Sequence, residues 1–152
     1  LLRMGPISRR LFGWCLSYPH SYFKNKKAVP VDEVHGSMVM VHGKAFLDWG
    51  GYDEEIFLYQ EESVLGDRLK KAGYFTALLL TESYSHSHSV SISKSFEDEL
   101  QRQKLRETSL LYYMKHYLHI GPVREKLAKA WFWGIRMEIW MVQNIQSILP
   151  CK

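Results

Sequence analysis

The sequence predicts an α/β layer followed by a purely helical segment. Three observations carry that expectation. Short apolar runs rich in β-formers, bounded by glycine or polar residues, occur at 38–41 and 75–80. Between them, Val64, Leu65, Leu69 and Ala72 recur at the three- and four-residue spacing of a helix. From residue 95 onward the pattern is helical only. The order strand, short helix, helix, strand within one stretch of chain is that of an α/β layer.

Taken in order, residues 1–31 show little periodicity. Pro6, Gly13, Pro19 and Pro30 interrupt them, one short helix is expected over 8–16, and KNKK at 24–27 reads as a solvent loop. Order is expected to begin at Val34, with HGSMVMVHG supplying a strand at 38–41. KAFLDWGGYDE follows as one or two helical turns that place Ala45, Phe46 and Trp49 on one face, stopped by Gly50-Gly51. EESVLGDRLKKAGY is a helix with Gly73 beyond its carboxyl end. After the strand at 75–80, TESYSHSHSVSIS alternates polar and less polar residues and reads as extended. Phe96, Leu100, Leu111, Met114 and Leu118 then line one face of a helix that Gly121-Pro122 ends. A final helix over 123–149 has a narrow polar stripe through Glu125, Lys129, Arg136, Gln143 and Ser147, and is otherwise apolar, with Trp131, Trp133 and Trp140. The division is therefore 1–95 and a helical extension over 96–152.

Composition bounds the function. With 46% apolar and 24% charged residues in 152, the chain is globular rather than disordered. Cys15 and Cys151 are the only cysteines and stand at opposite ends, which excludes a disulfide scaffold or a zinc knuckle and predicts a reduced, cytoplasmic setting. No signal-peptide pattern occurs, and no run approaches the length of a spanning helix. The net charge of +4 is unevenly spread. Charged residues before Asp32 are all basic, those from Asp32 to Asp67 are acidic except Lys44, and the balance then turns basic again. An acidic pocket between basic surfaces, or ordinary solvated charge, would account for this. Nucleic acid is not an expected partner, because no groove-reading motif occurs and the best-ordered block is acidic.

Two features could carry chemistry. Glu61-Glu62 opens a helix, where the dipole keeps a carboxylate ionised and able to accept a proton. Adjacent residues on a first turn point apart, so one acid faces a substrate while the other caps the helix or binds a loop. Adjacent acids at a helix start also commonly do no more than complement the dipole. His86 and His88, two apart on an extended segment, project to one side as metal ligands can, although two histidines do not complete a site. Solvated histidines are the plainer reading. From the residues alone, no reaction follows.

A resemblance adds one. Gly36-Ser37, Ala45-Phe46 with Gly50-Gly51-Tyr52-Asp53-Glu54, Phe57-Leu58-Tyr59, Glu61-Glu62, Arg68-Leu69 with Gly73-Tyr74, and His86 follow one another in the order and spacing of the carboxyl-terminal half of glycosyltransferase family 2 catalytic domains. The acidic pair, more often Glu-Asp in that family, is Glu-Glu here. The resemblance implies a partial GT-A (nucleotide-diphospho-sugar transferase-like) fold without its amino-terminal nucleotide-binding half, and an inverting transfer of sugar from a nucleotide sugar to a saccharide or lipid-linked acceptor in cell-surface polysaccharide synthesis. It implies Glu62 as general base and Glu61 as its neighbour. Gly36, Ser37, Gly51, Tyr52, Asp53 and Tyr59 would line the acceptor cleft, and His86 and His88 would stand near a Mg²⁺ or Mn²⁺ ion. No Asp-x-Asp, the family's metal-binding motif, occurs in the chain. The expectation is thus a fragment that is inactive by itself, the alternative being a non-catalytic glycan- or protein-interaction module. The helical extension, aromatic and basic, would pack on a missing half or a second copy, or lie on the inner face of an anionic membrane.

Overall fold

A computed structural model describes residues 4–16, 18–85 and 98–148. Helix α1 (Pro6–Phe12) runs into a 3₁₀ turn (Gly13–Leu16), followed by the short helix α2 (His20–Phe23) and strand β1 (Ala28–Val31). Next come α3 (Gly43–Asp48), α4 (Glu61–Lys71) and strand β2 (Thr76–Leu79). Two long helices, α5 (Glu99–His116) and α6 (Pro122–Ile148), close the described chain.

The strands form one antiparallel pair, with Ala28 opposite Leu79 and Val31 opposite Thr76. The first strand therefore lies at 28–31, not at the expected 38–41. Pro30 hid it, since proline argues against a strand; a two-stranded sheet is all edge and needs no donor at that position. The apolar run at 38–41 has no strand partner among the described residues. Met40 is 92% exposed, and the segment leaves a turn in which Met38 N–H donates to His35 O at 3.5 Å.

Helix α4 closes as its sequence predicts. Gly73 takes φ +83°, its N–H donates to Lys70 O, and Tyr74 N–H reaches back to Leu69 O. Val64 and Leu65 are buried, as is Val29 on β1. At Gly66 backbone packs closely on backbone: an added Cβ would stand 2.6 Å from the backbone oxygen of Asp32. Gly66→Ala should therefore destabilise the chain by about 1–3 kcal/mol, because a backbone atom cannot swing aside. Chemical denaturation checks this, and an unchanged midpoint would mean that α4 is not held closely against the Asp32 carbonyl.

The second core lies between α5 and α6. Leu110, Ala128 and Phe132 are buried there, with Leu111, Tyr113 and Met114 packed against them. Leu118 falls beyond the end of α5 and is exposed, and Phe96 lies outside the described residues. Asp98 caps α5 by accepting from Leu100 N–H at 3.0 Å, and Pro122 opens α6, where its missing N–H costs nothing. The polar stripe of α6 is used internally: Arg136 meets the buried Glu107 at 3.2 Å, and Glu125 meets Lys129 at 2.7 Å. Burial pushes the Glu107 carboxyl up, against hydrogen bonding from Gln103 and the Arg136 charge. Among the described residues, no helix is long and apolar enough to cross a membrane.

Candidate functional site

The acid pair opens onto a cleft of about 370 Å³ lined by Gly36, Tyr52, Ile56, Phe57, Glu61 and Glu62. Four of the residues singled out from sequence thus meet in one place: Gly36, Tyr52, Glu61 and Glu62. A separate hollow of about 270 Å³, between Tyr18, Tyr22, Asp32, Lys70 and Tyr74, lies toward the other end of α4 and contains no pair of acids.

The two carboxylates differ in their surroundings. Glu62 Oε1 accepts the backbone N–H of Gly36 at 2.8 Å. Only a glycine permits that approach, because a Cβ at residue 36 would stand 2.4 Å from the same oxygen. Glu61 Oε2 is buried and has no hydrogen-bond partner among the described residues. Burial pushes the Glu61 carboxyl up; its own backbone amide offsets part of this, and the adjacent Glu62 charge adds to the rise. Glu62 thus binds the loop, and Glu61 holds its proton more tightly than an ordinary carboxyl.

The turn that carries Gly36 is pinned from both sides. His35 Nδ1 lies 2.8 Å from Ser37 Oγ and accepts Ser37 N–H at 3.2 Å, and Ser37 Oγ hydrogen-bonds the Tyr84 hydroxyl beyond β2. Ser37 is therefore engaged with Tyr84 and His35. His86 and His88 lie outside the described residues. Among the described residues no three of His, Cys, Asp or Glu are grouped as metal ligands would be. They do not by themselves provide a site for a divalent ion.

Just before α4 the backbone is strained. Tyr59 and Gln60 both have positive φ, +68° and +70°. For residues with side chains, this conformation costs about 1 kcal/mol or more each. Surrounding contacts hold it in place. Ser109 Oγ donates to Leu58 O at 2.6 Å, the Arg106 guanidinium lies 5.1 Å from the centre of the Tyr59 ring, and Ser63 Oγ donates to Gln60 Oε1 at 3.1 Å. Two of these three contacts come from α5, so the helical segment sets the direction in which the acid pair leaves the turn.

Gly51 and Asp53 serve the same purpose. Gly50 and Gly51 occupy the left-handed region at φ +79° and +66°, which turns the chain sharply after α3. The carbonyl of Gly51 accepts from Arg68 Nη1 at 2.9 Å. The Asp53 side chain, 11% exposed, lies 3.5 Å from Arg68 Nη2 and accepts from the hydroxyls of Tyr117 and Tyr112. Its carboxylate is thus occupied inside the chain. Burial raises the Asp53 pKa, but the Tyr117 hydroxyl, the Glu55 N–H and the Arg68 charge outweigh that and hold it below the usual carboxylate value. Ile56 and Phe57 line the cleft without having been singled out as site residues; Phe57 belongs to the aromatic triplet, whereas nothing in local sequence marks Ile56. Arg68, Ser109, Tyr112 and Tyr117 act over long sequence separations that no local pattern reveals.

No protein-family model matches the chain, and no solved structure matches it. Two curated proteins do: the N-acetylglucosaminyl-diphospho-decaprenol L-rhamnosyltransferases of Mycobacterium tuberculosis strains CDC 1551 / Oshkosh and ATCC 25618 / H37Rv. Each is 40% identical over 57 residues, which is 38% of this chain and 19% of the relative. The match thus spans about a fifth of the length of these relatives. It relates this chain, over that stretch, to a glycosyltransferase.

Proposed function

We propose that the chain is the acceptor-side part of an inverting glycosyltransferase that moves a sugar from a nucleotide-sugar donor to a saccharide or lipid-linked acceptor in cell-surface polysaccharide synthesis. One observation carries this reading: two adjacent carboxylates at the amino end of α4 face a cleft beside Gly36 and Tyr52, in a chain similar over 57 residues to a rhamnosyltransferase. Glu62 takes the proton of an acceptor hydroxyl through the carboxylate it presents to the cleft. The acceptor oxygen then attacks the anomeric carbon as the bond to the nucleoside diphosphate breaks, which inverts that carbon. Tyr52 and Phe57 offer ring faces to the acceptor. The nucleotide, and the Mg²⁺ or Mn²⁺ ion that the resemblance implies, are held by residues outside the described ones.

A second reading exchanges the two acids. Its support is the buried, partnerless Oε2 of Glu61 and the raised pKa that follows from burial; a base of higher pKa draws a proton more strongly.

The test is an assay of nucleoside diphosphate release with a panel of nucleotide sugars and both acceptor types. It compares the 152 residues alone with a protein extended by a nucleotide-binding half. Transfer by the longer protein and none by the shorter is expected, since both reactants must be positioned together. Acceptor binding without transfer from any donor would leave a non-catalytic glycan- or protein-interaction module. Within the active protein, Gly36→Ala should lower kcat roughly tenfold or more while the melting temperature holds, because the carboxylate of Glu62 can move where the backbone need not. A variant with wild-type kcat would show that the Gly36 amide does not position the acid.

A further inference from the structure

The geometry points to α6 and α1 as a peripheral docking face for a bilayer containing anionic lipid, with the helices lying at the boundary between headgroups and acyl chains. This inference stands apart from the transfer reaction and holds or fails without it.

Helix α6 has two apolar faces. One, through Ala128, Phe132, Ile135 and Ile139, is buried, its upper part packed against α5. The other points away from it: Val123, Leu127, Met137, Met141 and Ile145 fall within about 40° of a single line on the helix surface, and Leu127 is 65% exposed. At the middle of this line an added Cβ on Gly134 would meet nothing within 4 Å, so this part of the face is uncovered. Trp131 stands on one flank of the stripe and Trp133 and Trp140 on the other, all exposed. Indole rings flanking an aliphatic strip suit the interface, where the ring meets acyl chains and its N–H meets water and headgroups.

Helix α1 widens the face. Its amino end is fastened to α6 by Glu138, whose Oε2 accepts from the N–H groups of Ile7 and Ser8, both at 3.1 Å. Gly5 leaves room for that carboxylate, for a Cβ there would lie 2.2 Å from Oε2. Docked in this way, α1 and the turn after it present Leu11, Phe12 and Trp14, the last 76% exposed.

The charges identify the occupant. The two acids of described α6 are both engaged: Glu138 under α1, and Glu125 with Lys129 and Lys115. Arg9, Arg10, Arg124 and Lys126 are exposed and have no ion pair among the described residues. A second copy would bring a further set of unpaired cations to the contact, with both acids of described α6 already engaged, which is unfavourable. Anionic headgroups supply the missing opposite charge. Since no described helix can cross a membrane, the contact is one of lying on the surface rather than spanning it.

The full 152-residue chain is tested by flotation with phosphatidylcholine vesicles, with and without phosphatidylglycerol, at low and high salt. Tryptophan emission and its quenching by brominated acyl chains are followed alongside, and size-exclusion chromatography with light scattering gives the oligomeric state. Expected are co-flotation with the phosphatidylglycerol vesicles only, weakened by salt, and a blue-shifted, quenchable emission. Arg9→Glu with Arg10→Glu should weaken binding at least about tenfold, and Leu127→Asp with Met141→Asp should abolish it, both with unchanged circular dichroism. Any of three results overturns the inference: no binding to either vesicle by the folded wild-type chain, equal binding to both vesicles at both salts, or a dimer that Leu127→Asp disperses in a chain that ignores vesicles.

Discussion

Glu62→Gln is expected to lower the rate of sugar transfer by roughly 10²-fold or more, the usual consequence of removing a general base. Gln keeps the side chain's length and can still accept the Gly36 N–H through its amide oxygen, so the cleft should survive while proton transfer does not. Glu61→Gln separates the two assignments. If Glu62 is the base, this change costs less activity and should raise the melting temperature, because it removes a partly buried carboxylate whose oxygen has no partner. The sign follows from linkage. A carboxyl whose folded pKa is raised binds protons more readily in the folded state. Between its unfolded value, about 4.3, and its folded one, stability therefore falls as pH rises. The Gln variant should lack that fall. If instead Glu61→Gln loses the larger share of activity and Glu62→Gln remains nearly as fast as wild type, the roles are reversed and Glu62 serves to hold the loop.

What the sequence made legible is local. Helix α4 was readable from end to end, since its apolar spacing, its opening acids and the Gly73 cap all lie within one stretch of chain. The same holds for the glycine turn after α3 and for the long helices. The gathering of Gly36, Tyr52, Glu61 and Glu62 followed from a resemblance spread over many residues, not from any single spacing. What stayed hidden depends on contacts between distant residues. Strand β1 is short, contains Pro30 and is defined only by its pairing with β2 some 45 residues later, while the run at 38–41 looks like a strand and finds no partner among the described residues. The site role expected of Asp53 is the clearest instance. Its position in the GGYDE turn marked it for the acceptor cleft, but Tyr112 on α5 and Tyr117 just past its end engage the carboxylate from about 60 residues away. No pattern near residue 53 announces those partners.

That network gives the largest expected loss of stability. Arg68 donates to the Gly51 carbonyl at 2.9 Å and to the Tyr117 hydroxyl at 2.7 Å, and its charge faces the Asp53 carboxylate. Arg68→Met should destabilise the chain by about 2–4 kcal/mol, because Asp53 is left little exposed and without its cation. In a chain of this size that is a fall of roughly 5–15 °C in melting temperature. Arg68→Lys should recover only part of the loss, since one ammonium cannot hold Gly51 and Tyr117 in the planar fork of a guanidinium. The pH dependence should shift as well. Asp53, with its pKa held low, contributes stability above the unfolded value of about 3.9, and that contribution is lost as pH falls through the folded value. Tyr117 behaves in the opposite sense. Burial and its hydrogen bond to Asp53 push the phenol up to about 12, so its contribution is complete below the unfolded value of about 10 and fades as pH rises toward 12. In Arg68→Met the acid limb of the stability profile should move to higher pH, because the Asp53 carboxyl loses a cation that favours its ionised form. Thermal melts across the pH range would show this. A variant that melts within a degree or two of wild type, with an unmoved acid limb, would mean that α5 is not tied to the GGYDE turn through these side chains. The acid pair would then owe its placement to the turn at 59–60 alone.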